Sequence, residues 1–251
     1  MAKALVVGNW KAYITSQKDA KKLFKDIEKA LPRKISAEVV LCPPHVFIDS
    51  LASAYRGERI SFGAQDAHFE EGAATGAVPA QALKSVGVKY VIVGHAERRN
   101  MGETDEIVAK KIGAVLDSKL TPILCVGESA RDREGSYWGE LEKSIQASLA
   151  SAQEKDMRRL VIAYEPVWAI GAPVPPPART VREAIIFIRK VLADLFGREV
   201  ALKACILYGG AVDAESAVEL AEESGANGFL LGRASVDAEA FSRIVSVFQP
   251  R

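Results

Sequence analysis

The chain has a stretch in which an apolar run stops at a charged residue: positions 160–166 read LVIAYEP. The run has the length of a β-strand, and proline ends it because its ring fixes φ and leaves no N–H to donate. Positions 91–95, which read VIVGH, make the same change from apolar to polar. We therefore predict that Glu165 and His95 lie at the carboxyl ends of two parallel strands, where a reacting group would sit.

Outward from these two stretches, short apolar runs alternate with amphipathic stretches along the chain. The candidate strands are 4–9, 38–42, 60–64, 90–94, 122–126, 160–164, 204–208 and 228–231. Helical patterns lie between them at 17–31, 105–118, 137–154, 181–196 and 214–223, and a last one covers 238–248. Strands that are apolar on both faces suit a parallel sheet covered by helices. Eight strand–helix units predict an α/β fold, a single (β/α)8 barrel that forms one domain over residues 1–251.

Composition narrows the classes of function and partner. The net charge is +1, from 33 basic and 32 acidic residues among 251, which gives no reason to expect nucleic acid or an anionic membrane as a partner. Cys42, Cys125 and Cys205 lie far apart, which argues against a disulfide framework or a zinc site. No signal peptide or apolar membrane span is recognisable, so we predict a cytoplasmic protein.

Polar side chains at the strand ends suggest chemistry. Lys11 follows the first strand and would hold an anionic substrate, while Asn9 suits an enediol oxygen. The residues after His95 suggest the start of a helix, whose positive end favours a neutral imidazole. Glu165 is placed to abstract a proton. Three of these residues have a simpler alternative. Lys11 would be a solvated surface lysine, His95 a structural histidine, and Glu165 a glutamate that only forms an ion pair.

Three glycine-bearing turns suggest phosphate binding. They are 170–171, 208–211 and 231–233, after the sixth, seventh and eighth strands. Glycine lets the backbone approach an oxyanion closely, and the N–H groups of a following helix point at it. The loops after strands seven and eight are the usual phosphate site of such barrels.

At these positions the chain resembles the triosephosphate isomerase family, over nearly its whole length. The matching segments are 8–11, 90–99, 125–128, 164–171, 206–210 and 228–232. They come in the family's order and at its spacings. The resemblance implies a TIM barrel that interconverts dihydroxyacetone phosphate and D-glyceraldehyde 3-phosphate through an enediolate, with no cofactor and no metal.

The resemblance also implies a role for each candidate residue. Glu165 is the base, His95 the neutral electrophile, and Lys11 the cation that meets the substrate. Glu97 is a supporting carboxylate. The remaining residues of the implied substrate pocket are Asn9, Gly171, Ala211, Gly232 and Arg233.

The family is usually a homodimer, in which the loop after the third strand enters the site of the neighbouring subunit. Residues 65–79 match that loop in position, with Thr75 and Gly76 at its tip. We expect Thr75 to lie beside Asn9 and His95 of the partner subunit. The simpler alternative is a mobile surface loop.

The chain departs from the family pattern at several places. Ala96 and Ala211 stand where the family has serine, Arg233 where it has a second glycine, and Tyr13 where it has asparagine. The lid, residues 172–178, reads APVPPPA where the family has glycine, threonine and lysine. Proline lacks an N–H and fixes φ, so this lid is expected to be stiffer and to close less completely.

Two other functions remain open at this point. One is a related isomerase of a four-carbon ketose phosphate, for which the altered lid makes room. The other is a barrel of low or no activity whose lid has decayed. A Schiff-base aldolase is disfavoured, because the sixth strand ends in Glu165 where a lysine nucleophile would be expected.

Overall fold

The computed structural model describes residues 4–171 and 174–249. Eight parallel strands form a closed barrel in sequence order, which confirms the predicted α/β fold. The strands are β1 (Leu5–Asn9), β2 (Glu38–Cys42), β3 (Ile60–Ala64), β4 (Val88–Val93), β5 (Thr121–Val126), β6 (Val161–Tyr164), β7 (Cys205–Tyr208) and β8 (Gly228–Leu231). Each predicted strand is found, with its ends shifted by two residues at most.

Helices surround the barrel. They are α1 (Gln17–Ala30), α2 (His45–Ala52), α3 (Ala80–Ser85), α4 (Ala96–Asn100), α5 (Asp105–Asp117), α6 (Tyr137–Ser148), α7 (Ala178–Phe196), α8 (Arg198–Lys203), α9 (Ser216–Glu223) and α10 (Ala238–Ser246). Short 3₁₀ helices cover Glu154–Arg159, Val167–Ala169 and Arg233–Val236. Within the described ranges, no helix is long and apolar enough to cross a lipid bilayer.

The core has two layers, as the alternation of side chains along a strand requires. Val7, Val40 and Ile92 belong to a cluster inside the barrel. Their neighbours Val6 and Val39 belong to the larger cluster between the barrel and the helices. Both faces of each strand are thus apolar, which explains why the strands read as continuous hydrophobic runs.

The barrel closes where the first strand meets the last. Leu5 pairs with Glu38 of β2 on one side and with Gly228 of β8 on the other. Gly228 has φ of +149°, and a Cβ atom built there would lie 1.9 Å from the carbonyl oxygen of Leu5. A glycine is therefore required at this contact.

One predicted helix was too long. The 137–154 pattern forms α6 only as far as Ser148, and a separate 3₁₀ helix begins at Glu154. Gln153 and Asp156 cap this second helix reciprocally, since each side chain accepts from the other's backbone N–H. This capping favours the start of a new helix at Glu154 over the continuation of α6.

Candidate active site

A cavity of about 510 Å³ opens at the carboxyl ends of the strands. Most of the predicted site residues line it: Asn9, Lys11, His95, Glu97, Glu165, Gly171, Ala211, Gly232 and Arg233. Thr75 is exposed on the loop after β3 and does not line this cavity. The barrel thus gathers nine residues that are spread over more than 220 positions of sequence, from Asn9 to Arg233.

Glu165 follows β6 directly, and its side chain is turned into the protein. Its backbone N–H donates to the carbonyl of Val126 at 2.7 Å, which holds it beside β5. The residue is only 3% exposed, and its Oε2 accepts from the N–H of Ala96 at a long 3.5 Å. A Cβ atom on Gly209 would lie 2.7 Å from Cγ of Glu165, so this glycine leaves the space that the side chain occupies.

The backbone around Glu165 is closely packed. A Cβ atom on Gly127 would lie 1.9 Å from the carbonyl oxygen of Glu165, so the backbones of the two loops are in close contact. Burial, and next the charge of Glu165, raise the pKa of the Cys125 thiol well above its ordinary value. Cys125 is therefore a neutral neighbour of the carboxylate.

His95 is the N-cap of α4, as the residues after it suggested. Its Nδ1 accepts a hydrogen bond from the N–H of Glu97 at 3.1 Å. An accepting Nδ1 carries no proton, so the proton of a neutral imidazole is on Nε2. This Nε2 lies 3.3 Å from Oε1 of Glu165. The two side chains can therefore act on the same small molecule.

Lys11 has an unusual backbone conformation, with φ of +48°. Its N–H donates to Oδ1 of Asn9 at 3.0 Å, and its carbonyl accepts from Nε2 of Gln65 at 2.9 Å. Its ammonium lies 2.6 Å from Oε1 of Glu97. A left-handed conformation in a non-glycine residue costs free energy, and such strain is often found at functional sites.

The turns after β7 and β8 form the far side of the cavity. Gly232 is the N-cap of the 3₁₀ helix Arg233–Val236, and the first N–H groups of a helix have no partner within it. A Cβ atom on Gly232 would lie 3.3 Å from Cε and 3.7 Å from Nζ of Lys11. A cation and free backbone N–H groups thus lie side by side, which suits an anion.

Charged residues behind α4 hold the His95 turn in place. Lys111, only 3% exposed, donates to Asp66 at 2.7 Å and to Glu103 at 2.8 Å. Arg98 donates to the same Oε2 of Glu103 at 2.8 Å, and Oε1 accepts from the N–H of Gly94. Burial alone would raise the pKa of Glu103, but the two cations outweigh it and lower that pKa.

Known proteins resemble this chain over nearly its whole length. A family model described as triosephosphate isomerase matches residues 4–248. The chain belongs to the triosephosphate isomerase family. The triosephosphate isomerase of Clostridium novyi (strain NT) is 41% identical over 249 residues, which are 98% of this chain and 99% of that protein. That of Thermoanaerobacter pseudethanolicus is 41% identical over 251 residues, or 98% of this chain and all of the relative.

The departures from the triosephosphate isomerase pattern lie around the reacting groups. Ala96 offers Glu165 only a backbone N–H, because the family's serine hydroxyl is missing there. Ala211 and Arg233 line the cavity and keep their backbone N–H groups. In the lid, Ala172 and Pro173 lie outside the described residues. Pro175 lines the cavity.

A second cluster of polar and aromatic side chains, to which the sequence analysis assigned no role, lies around Glu128 beside this cavity. Oε1 of Glu128, which is 1% exposed, accepts from Arg131 at 2.7 Å, from the Tyr164 hydroxyl at 2.8 Å and from the Trp168 indole at 3.0 Å. The signal was present, since Glu128 also follows an apolar strand closely. The Tyr208 hydroxyl is buried nearby and has no hydrogen-bond partner among the residues described.

A larger cavity, of about 850 Å³, lies at the opposite end of the barrel. Its lining includes the first residues of three strands, Leu5, Glu38 and Cys205. Burial raises the pKa of the Cys205 thiol to about 11, so this thiol is protonated at neutral pH. Active sites in such barrels lie at the carboxyl-terminal face, and the smaller cavity there is the one that brings His95 and Glu165 together.

Proposed function

We propose that the cavity at the carboxyl ends of the strands interconverts dihydroxyacetone phosphate and D-glyceraldehyde 3-phosphate. The chain is then a triose-phosphate isomerase, an intramolecular aldose–ketose isomerase of glycolysis and gluconeogenesis. The observation that carries this proposal is the 3.3 Å approach of Nε2 of His95 to the Glu165 carboxylate, next to Lys11 and the glycine turns. The names of the relatives support the same substrates.

The proposed chemistry moves protons and needs no cofactor or metal. Glu165 removes a proton from the carbon beside the carbonyl, and the electron pair moves to the carbonyl oxygen. His95, with its proton on Nε2, donates to that oxygen and takes a proton from the neighbouring hydroxyl, through an enediolate. Glu165 returns its proton to the other carbon. The sum is an isomerisation without net oxidation, and both catalytic groups end as they began.

The phosphate serves as a handle. Lys11 provides the cation, with Asn9 beside it. The backbone N–H groups around Gly171, Ala211, Gly232 and Arg233 complete the phosphate site. Glu97, 2.6 Å from the ammonium of Lys11, supports the lysine in the absence of substrate. Binding energy from the phosphate positions the reacting carbons and favours closure of the lid.

The working protein is proposed to be a cytoplasmic homodimer of one-domain subunits that cover residues 1–251. The loop 65–79 is folded on itself, since the N–H of His68 donates to the carbonyl of Val78 at 2.8 Å. Its tip, Thr75, is exposed and free to reach a second copy. Val46 on α2 and Met101 at the end of α4 are each 80% exposed, and exposed apolar side chains suit an interface.

The test is a coupled spectrophotometric assay with dihydroxyacetone phosphate on the unmodified protein and on Glu165→Asp. The shorter side chain withdraws the carboxylate by about one methylene from a transfer that needs heavy atoms about 3 Å apart. We expect kcat to fall at least about 100-fold with little change in KM. Glu58→Asp, an exposed position, should behave as the parent. An inactive parent, or a Glu165→Asp variant with parental turnover, would reject the assignment.

A further inference from the structure

Arg131, in the loop after β5, makes an unusual set of polar contacts. Its Nε donates to Oε1 of Glu128 at 2.7 Å, and its Nη2 donates to the hydroxyl of Tyr164 at 3.0 Å. Glu128 is almost fully buried, and Oε2 of its carboxylate has no hydrogen-bond partner among the described residues. The guanidinium is the cation that compensates this buried carboxylate.

Aromatic rings surround the same guanidinium. Its central carbon lies 5.0 Å from the ring centre of Tyr137, 5.5 Å from that of Trp138 and 5.4 Å from that of Trp168. Such distances allow cation–π attraction to all three rings. Trp138 in turn contacts Phe187, with ring centres 4.5 Å apart.

These contacts link the segment after Glu165 to helix α7. Trp168 lies in the 3₁₀ helix Val167–Ala169, directly after the end of the Glu165 strand. Phe187 lies in the middle of α7. The contacts from Trp168 through Arg131 and Trp138 to Phe187 therefore connect the backbone beside Glu165 to the helix that follows it.

The backbone beside Glu165 is tied to the same place. The N–H of Val167 donates to the carbonyl of Glu128 at 3.0 Å, and the indole of Trp168 donates to the Glu128 carboxylate at 3.0 Å. Any shift of Glu128 or Trp168 would therefore move the backbone within three residues of Glu165, the proposed base.

We propose that Arg131 is a positioning residue for the isomerase reaction, and this rests on the proposed function. It holds Trp168 and Glu128 and thereby fixes the hinge, which is residues 166–168 directly after Glu165. Arginine suits the role because its planar group can donate along its edge and stack on its faces at the same time. Lysine can pair with Glu128 but cannot do both.

The test compares Arg131→Met and Arg131→Lys with Arg133→Met, an exposed arginine of the same loop. Kinetics are measured well below the midpoint of thermal unfolding of each variant, together with inorganic phosphate released per isomerisation. For Arg131→Met we expect kcat/KM to fall about 10- to 100-fold, because charge-assisted hydrogen bonds are lost. We also expect more phosphate release, since a misplaced hinge leaves the enediolate exposed to water. Arg131→Lys should be intermediate, and Arg133→Met should match the parent.

A purely structural role would lower the unfolding temperature but leave kcat, KM and phosphate release as in the parent. That result in Arg131→Met overturns the inference. If this variant does not fold, it is replaced by the double variant Glu128→Gln/Arg131→Met, which removes the buried carboxylate charge together with its partner cation, and the same kinetic defect is expected. Parental kinetics in Arg131→Lys would also overturn it. An inactive parent protein, in contrast, rejects the proposed function itself.

Discussion

At the residue scale, the site depends on side chains that never touch a substrate. Glu103 accepts from the N–H of Gly94, next to His95, and from the buried Lys111. Removing one member of such a buried pair is costly, because the other charge is left without compensation. Glu103 therefore links the position of His95 to the stability of the protein.

The pKa of Glu103 gives a test by pH. It is lowered from 4.5 in the folded protein, so its contribution to stability is complete above that value and is lost as the pH falls through the folded pKa. We expect Glu103→Gln to lower the thermal midpoint at pH 7 by about 4–10 °C. The difference from the parent should shrink at pH below 4.5.

Thermal unfolding followed by circular dichroism across pH 3 to 7 measures this. Glu140→Gln, an exposed glutamate on α6, serves as the matched control and should unfold like the parent. A constant difference between Glu103→Gln and the parent at all pH values would contradict the assigned role.

Some of these residues could be predicted from sequence, and others could not. Glu165 and His95 stand out because each ends an apolar run, and the fold brings such ends together. Glu128 gives a similar signal, yet the sequence could not show that it bonds to Tyr164 and Trp168. Lys111 looks like a helix-surface lysine, and only the fold brings Asp66 beside it.

At the element scale, the strands were predictable and several of the short helices were not. Buried parallel strands are apolar on both faces, so each is a visible run bounded by turns. α2, α3 and α8 have six to eight residues, which leaves a helical period little room to stand out, and α4 was indicated only by its start after His95. Their positions depend on packing against the barrel.

The lid is the element that departs most from the family. Prolines reduce the conformations of the open lid, which lowers the entropy cost of closing if the closed shape suits them. They also remove N–H donors and prevent rotation, and we expect this second effect to dominate. The enzyme should then close incompletely and lose some intermediate as free phosphate.

Replacing residues 172–178 with a loop of the family's glycine–threonine–glycine–lysine type should raise kcat/KM and reduce inorganic phosphate released per isomerisation. Changing Pro175, Pro176 and Pro177 to alanine restores N–H groups without the family's side chains, and so separates the two causes. Equal phosphate ratios in parent and replacement, or a better parent, would mean that the proline lid closes adequately by another route.

At the scale of the whole molecule, we propose that a second subunit completes the site. Gln65 begins the loop 65–79 and donates to the carbonyls of Lys11 and Cys42, at 2.9 Å each. The base of the loop therefore supports the strained Lys11, while its exposed tip, Thr75, reaches no part of its own cavity. Assembly and activity should depend on each other.

Shortening the loop between Asp66 and Val78, with both kept, should give monomers whose activity is at least about 100-fold lower. Sedimentation and assay at the same protein concentration measure both properties. Val46→Asp should weaken the dimer in the same way, whereas Val218→Asp, the same substitution at an exposed valine on α9, should not. A shortened-loop monomer with full activity would contradict the proposal.

The contact between Leu5 and Gly228 also governs how the chain is made. During synthesis β1 leaves the ribosome long before β8, by roughly 10–40 s at usual elongation rates. Until then β1 has one edge with unpaired N–H and C=O groups, which is the kind of surface that attracts other chains. Because any side chain at position 228 would strike Leu5, such a substitution would prolong this exposed stage. The first effects of the substitution would be a lower yield of folded protein and a greater requirement for chaperones.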